Sequence, residues 1–318
     1  MTIAGKTILV TGANRGIGQA LVAEALSRGA ERVYAGTRRS FAHPDARVTP
    51  MALDVTSAAQ IQAAAGHVDT LDILINNAGL ALYDDLSDRE VLERHLAVNL
   101  FGTYAVTQAF LPQLARAKGA IVNNLSLMAL APLPLTPAYA VSKAAAFNLT
   151  QSWRALLAGQ GVRVHAVLTG PTDTDMNRGL DIPKASPESV VRAIFDGVEK
   201  GEEDIFPDPM SASMAEGWRR HGRCPLSLRD AGLQHVRARW RHRLPLLLHR
   251  GAWCGVPDRL LPDPGPGAEG PRRGRRVPDV APPPRRVRHE MTRTKGSFRT
   301  WLRKSAQHAT HRGARCMY

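Results

Sequence analysis

From residue 7 to about residue 208, short apolar runs alternate with longer amphipathic stretches, the pattern of βαβ units built around a parallel sheet. Seven runs predict strands, at 7–10, 32–36, 48–53, 71–75, 120–124, 162–168 and 204–206. Helical periodicity fills the intervals, at 16–27, 57–65, 88–99, 100–117, 137–158 and 187–200. Several strand runs are apolar nearly throughout (ILV, DILI, AIVN), as required when helices cover both faces of a sheet. The expected fold class is α/β, a doubly wound parallel seven-stranded sheet forming a single domain over 1–218. After Trp218 the periodicity stops. Residues 219–318 are arginine, proline, glycine and histidine with scattered leucine, too little apolar surface to offset the entropy of ordering, so a disordered extension is expected there.

Charge divides the chain at the same place. The formal net charge is +14, yet 1–218 holds 18 Lys+Arg against 22 Asp+Glu, and 219–318 holds 24 against 6. The basic excess is all tail. Cys224, Cys254 and Cys316 also lie there, so the first 218 residues have no thiol for a disulfide or a nucleophile, and three such scattered cysteines make no framework. Residues 1–5 lack a basic flank followed by an apolar core, and no apolar run is long enough to span a bilayer. A cytoplasmic location without membrane attachment is expected.

The first chemistry-bearing motif is Thr11-Gly12-Ala13-Asn14-Arg15-Gly16-Ile17-Gly18, directly after a predicted strand and opening a predicted helix. Glycines there allow a tight turn and a close approach to a pyrophosphate at the positive helix N-terminus. A turn that merely needs positive φ is the bland alternative. The second strand sharpens the reading. Where a cofactor without a 2′-phosphate needs a carboxylate, about 20 residues after the glycines, this chain has Thr37, followed by Arg38 and Arg39. With Arg15 nearby, guanidinium groups would hold a 2′-phosphate, which favours NADP(H) over NAD(H).

Tyr139 and Lys143 lie four apart on one predicted helix face, thirteen residues after Ser126, with Thr136-Pro137 as N-cap and first-turn proline. A phenol beside a fixed ammonium can exchange a proton near neutral pH, because the positive neighbour favours phenolate and lowers the tyrosine pKa.

Together these residues resemble the short-chain dehydrogenase/reductase family. The likeness covers about 2–208 and rests on TGANRGIG, Asp54-Val55, Asn76-Asn77-Ala78-Gly79, Asn99, and Ser126 with Tyr139 and Lys143, all in the family's order and spacing. It implies a Rossmann-type fold and an oxidoreductase passing a hydride between NADP(H) and a carbonyl or secondary alcohol. By the resemblance, Tyr139 is the acid or base at the substrate oxygen, and Ser126 orients that oxygen. Lys143 would hold the nicotinamide ribose, and Asn99 would support a water joining lysine to solvent. Gly12, Asn14, Arg15, Gly16, Ile17 and Gly18 would cradle the pyrophosphate, with Thr37 and Arg38 at the ribose 2′ position. Asp54 and Val55 would contact adenine, and Asn77, Ala78 and Gly79 would line the adenosine side. Gly170, Thr172 and Thr174 would flank the nicotinamide, with Tyr139 and Lys143 touching the cofactor as well. One departure stands out: Thr169-Gly170 replaces the family's usual Pro-Gly, which puts the rigidity of that loop in question.

A pocket lined by 80–83, 127–135 and 175–184 is largely apolar and suggests a hydrophobic small-molecule substrate. His95 and His165 lack ligand spacing and read as core or surface histidines, so no metal is expected. The apolar, alanine-rich helices at 100–117 and 137–158 offer a face for a homodimer or homotetramer. For the tail three readings compete. Its bases could attract nucleic acid, it could be a solvated linker, or its Arg/Pro/Gly/His bias with only two lysines could mark an out-of-frame extension, the reading favoured here. The alternatives to an active reductase are thus an NADP(H)-binding protein impaired by its altered C-terminus, and a nucleic-acid-associated protein acting through the tail.

Overall fold

The computed structural model describes residues 1–39 and 41–221. Expectations about the basic tail therefore concern, except for its first three positions, residues outside those described.

Seven parallel strands form one sheet: β1 (Thr7–Thr11), β2 (Arg32–Thr37), β3 (Val48–Ala52), β4 (Ile73–Asn76), β5 (Ala120–Asn124), β6 (Arg163–Val167) and β7 (Asp204–Ile205). Their spatial order is β3-β2-β1-β4-β5-β6-β7. The chain winds outward from β1 in one direction and then restarts at β4 in the other, so a crevice opens at the carboxyl ends of β1 and β4. The helices are α1 (Gly16–Ser27), α2 (Ala58–His67), α3 (Arg89–Leu96), α4 (Thr103–Ala117), α5 (Pro137–Leu157), α6 (Pro187–Lys200) and α7 (Pro209–His221).

Strand alternation sends successive apolar residues to opposite faces, which accounts for the unbroken apolar runs. Ile8, Val10, Ile73 and Ile75 pack on one face with Leu21 of α1 and Phe195 of α6. Leu9, Leu74 and Ile121 pack on the other with Phe110 of α4 and Trp153 of α5. Pro50, which lacks an N–H for a ladder, is tolerated because β3 is an edge strand. Local chemistry starts the helices: the Ser57 hydroxyl accepts from the Gln60 N–H at 3.4 Å, and the Ser186 hydroxyl from the Ser189 N–H at 3.1 Å, the latter ahead of Pro187.

Three features differ from expectation. The helices expected at 88–99 and 100–117 are one helical run whose middle, Ala97–Gly102, is a π-helical turn. The close approach of Gly102 to Val55 belongs there, since a Cβ on Gly102 would lie 2.7 Å from Val55 Cγ2. Helix α7 was not anticipated; Asp208 caps it, with its Oδ1 accepting from the Ser211 N–H at 3.0 Å. Thr136 precedes α5 as expected, but its hydroxyl does not cap the helix and is directed at Met128 Sδ, 3.4 Å away. The cap comes from Asp84, 54 residues earlier, whose carboxylate accepts from the Ala138 N–H at 3.2 Å. A carboxylate suits a helix N-terminus better than a hydroxyl does.

Candidate active site

The carboxyl ends of β1, β4, β5 and β6 converge with the N-terminal half of α5. In the glycine loop, Gly12 and Gly16 have φ of 67° and 51°, a region that favours glycine. A Cβ on Gly18 would lie 2.0 Å from the Gly12 carbonyl oxygen, so only hydrogen fits at that position. Asn14 and Arg15 are exposed, and Ile17 packs against the core. Arg15 occupies the N-cap of α1 without capping it, which leaves the first-turn amides clear of side-chain acceptors. Its guanidinium instead faces Asp175, 3.6 Å away across the mouth of the crevice.

The turn after β4 is tied to this loop. Thr11 Oγ1 accepts from the N–H groups of Asn77 and Ala78 at 2.9 and 3.0 Å, and Asn77 Nδ2 donates to Thr11 O at 3.0 Å. Gly79 leaves space between the Asn99 amide and the Lys143 ammonium: a Cβ there would be 3.5 Å from Asn99 Oδ1 and 3.8 Å from Lys143 Nζ.

At the end of β2, Thr37 is buried and donates its hydroxyl to Arg39 O at 2.5 Å, while Arg38 is exposed. Asp54 feels Arg38. Burial works upward on its carboxyl, but bonds from the Thr56 N–H and hydroxyl, together with the Arg38 charge, bring it below the usual range. Val55 is buried against α4.

Ser126 lies two residues past the end of β5. Its hydroxyl accepts from the Met128 N–H at 3.1 Å, and it also hydrogen-bonds the Tyr139 phenol. Tyr139 is 9% exposed, and burial pushes it up to about 12, only partly opposed by the Ser126 bond. This corrects the expected depression by lysine. Lys143 stands over the phenol ring, 5.6 Å from its centroid, but desolvation outweighs any help from its charge. Lys143 is itself buried and brought down to about 8 by that burial; its ammonium donates to Asn124 O at 2.8 Å.

Asn99 sits in the π-helical turn with every side-chain atom engaged. Oδ1 accepts from the Leu80 N–H at 2.8 Å, and Nδ2 donates to Leu80 O and to Ser142 Oγ, both at 2.9 Å. Its carbonyl accepts from the Thr103 hydroxyl at 3.0 Å. Asn99 thus holds the segment after Gly79. His95, fully buried, extends that grip: Nε2 accepts from the Leu82 N–H at 3.0 Å, so Nδ1 carries the proton that faces Val91 O at 2.7 Å. Its ring meets Tyr139 edge-on at 6.2 Å.

After β6, the Gly170 N–H donates to Asp208 Oδ2 at 2.7 Å, and a Cβ on Gly170 would collide with that carboxylate. Thr172 is buried, and its carbonyl accepts from Asn177 Nδ2 at 2.8 Å. Thr174 lies against Gly16, whose added Cβ would be 3.1 Å from Thr174 Cγ2, so the two loops meet over the crevice.

Residues 6–184 match the family model described as short chain dehydrogenase. The chain belongs to the short-chain dehydrogenase family. Among relatives, this short-chain dehydrogenase is 35% identical over 205 residues to 2-(S)-hydroxypropyl-CoM dehydrogenase 3 of Xanthobacter autotrophicus, covering 59% of the chain and 80% of the relative. It is 34% identical over 209 residues to the 2,3-dihydro-2,3-dihydroxybenzoate dehydrogenase of Escherichia coli, covering 63% and 83%. A crystal structure of a short chain dehydrogenase from Burkholderia cenocepacia in complex with NADP superposes with a TM-score of 0.67 at 37% identity, over 70% of this chain and 96% of that one.

Residue-type reasoning on this dehydrogenase missed Thr11 as a clamp, Asp84, His95 and Asp208 as supports, and Asn124 as the lysine's acceptor. Asp208 had a local signal, since Asp-Pro-x-Ser is a helix-start pattern. The others are defined by partners distant in sequence. Among the described residues, no cluster of three or more His, Cys, Asp or Glu side chains could hold a metal, and no helix is long and apolar enough to cross a membrane.

Proposed function

We propose that this oxidoreductase transfers a hydride between NADP(H) and the carbonyl or secondary alcohol of a small, largely hydrophobic molecule, with Tyr139 as the acid or base. The observation that carries the reading is Tyr139 bonded to Ser126 and backed by Lys143 at the mouth of a crevice whose glycine loop leaves no room for a Cβ at Gly18. The uncapped first turn of α1, entered through the positive-φ glycines Gly12 and Gly16, suits a pyrophosphate. Thr37 in place of a carboxylate, with Arg38 exposed beside it and Arg15 across the loop, suits a 2′-phosphate. The NADP-bound neighbour at 37% identity supports the same choice.

When bound, the nicotinamide supplies the hydride. The protein's own part is to keep Tyr139 protonated: burial up to about 12 favours a phenol that gives its proton to a carbonyl oxygen as that oxygen gains charge. Ser126 Oγ orients the oxygen, and the Lys143 ammonium, 2.8 Å from Asn124 O, is placed to hold a ribose. Asn99, saturated by Leu80 and Ser142, acts by fixing the segment 80–84; its support of a water on the lysine remains the family expectation. Leu135 and Met176 expose apolar surface in the segments expected to line the pocket.

NADPH oxidation over a panel of ketones and aldehydes tests the reading. Tyr139→Phe is expected to lower turnover about 10²–10⁴-fold while NADPH still binds. Undiminished turnover in that variant refutes the assignment. We also propose that copies pair through α4, α5 and the π-helical turn that leads into α4, which leave Phe101, Tyr104, Val141 and Leu156 uncovered.

A further inference from the structure

Asn124, the last residue of β5, is bonded at both ends of its side chain. Its Nδ2 donates to Asn77 Oδ1 at 2.9 Å, and its Oδ1 accepts from the Thr169 hydroxyl at 2.7 Å. Asn77 is bonded in turn to Thr11. Thr11, Asn77, Asn124 and Thr169 belong to the ends of β1, β4, β5 and β6, which are neighbours in the sheet in that order. Side chains therefore continue the lateral pairing past the point where the strand ladders stop. The belt crosses the floor of the crevice, and the main chain of its third member carries the carbonyl that accepts from Lys143.

A second row lies one residue earlier, and it does something else. Asn76 Nδ2 donates to Asn123 Oδ1 at 2.8 Å and to Thr107 Oγ1 at 3.0 Å, and Asn123 Nδ2 donates to Thr150 Oγ1 at 2.9 Å. These residues are buried and fasten the sheet to α4 and α5. Because side chains alternate along a strand, Asn124 faces away from that row and reaches the loops instead.

Thr169 gives the belt its purpose. It stands where the resemblance led one to expect a proline, at the head of the loop that continues through Gly170 and Thr172. A proline there restrains φ covalently. Thr169 lacks that restraint, yet it is 6% exposed and its hydroxyl is committed to Asn124. We propose that Asn124 is a positioning residue: through Thr169 and Asn77 it sets the two loops flanking the crevice at a fixed spacing from Lys143, and the Thr169 hydroxyl does by hydrogen bond what a proline ring would do by geometry. This rests on the reading of the crevice as an NADP(H) site.

Thr169→Val is the decisive variant, because it keeps the shape of threonine and removes the hydroxyl. Thr169→Ser keeps the hydroxyl, and Asn124→Leu removes both side-chain bonds. Measured on the full chain, Thr169→Val should raise the Kd for NADPH, read by fluorescence titration, about 5-fold, the worth of one hydrogen bond, with Thr169→Ser within about 2-fold of the parent. Amide exchange at 168–172 in the cofactor-free protein should quicken by a similar factor in Thr169→Val. The double variant Thr169→Val/Asn124→Leu should bind NADPH no more weakly than Asn124→Leu alone, since both remove the same bond. Parental Kd and exchange in Thr169→Val, or a lower melting midpoint with unchanged Kd, would overturn the proposal, as would multiplicative losses in the double variant. A parent chain that binds NADPH but reduces no carbonyl would defeat the proposed reaction and leave this comparison standing. A parent chain that binds no NADPH would defeat both.

Discussion

Burial acts on Tyr139 and Lys143 in the same sense, favouring the uncharged form of each, and the consequences for stability can be followed along the pH axis. Lys143 falls from the ordinary 10.5 to about 8, so between those values the unfolded chain holds a proton that the folded chain has released, and stability rises with pH. Tyr139 climbs from 10 to about 12, so across that interval the folded chain holds the extra proton and stability falls. Urea midpoints measured from pH 7 to 12 are therefore expected to peak near pH 10, and Lys143→Met to remove the rise. His165 supplies an acid limb. Burial brings it down to about 4, so its contribution is present above 6.5 and is lost as pH falls through 4, on the order of 3 kcal/mol. His165→Gln, which can still donate to Glu202 O, should flatten the midpoint between pH 6.5 and 4. At this scale the sequence revealed types and spacings: Ser126, Tyr139 and Lys143 could be picked out because they recur along one helix and the strand before it. The direction of the tyrosine shift was hidden, because spacing reports a neighbouring charge and not the water removed by packing. Asn124 was hidden for another reason. Its partner Thr169 is 45 residues away, and nothing local marks the pair.

The helical run from α3 to α4 shows how an element can serve a site through a break in its own pattern. Periodicity alone predicts two abutting helices, with Asn99 as the last residue of the first. The π-helical turn Ala97–Gly102 shifts the phase of the apolar face, and a shift of that kind looks in sequence like an end and a new start. What the turn gains is an inward-facing asparagine that replaces a strand partner for Leu80. Together with His95 on Leu82 and Asp84 on Ala138, side chains grip 80–84 at every second residue, which is why this stretch is ordered without being a strand. Asn99→Ala removes three bonds from a buried position. The amides of Leu80 and Leu82 are expected to exchange at least about tenfold faster in that variant, measured by hydrogen exchange with mass spectrometry, while amides of β1 and β4 keep their protection. Unchanged exchange at Leu80 would show that the strap holds itself.

Over the whole molecule, strand number, parallel pairing and the position of the crevice were legible because every βαβ unit left its own apolar and amphipathic signature. The exceptions sit where such signatures thin out. Strand β7 is two residues long, and α7 follows it in a stretch of mixed small and polar residues. For pairing between copies the sequence offered only apolar surface on two helices. If α4 and α5 pair between copies, Phe101→Glu should shift the mass found by light scattering toward the monomer without changing the melting midpoint by more than a few degrees; an unaltered mass would place the contact elsewhere. The sheet order carries a further consequence for how the protein is made. β1 is central and its second neighbour is β4, so Ile8, Leu9 and Val10 await Ile73, Leu74 and Ile75. At about 5–20 residues per second, a nascent chain on the ribosome would carry an open apolar flank for roughly 2–8 s between completing β2 and releasing β4. During that interval the growing polypeptide presents an unpaired apolar sheet edge of the kind that chaperones cover.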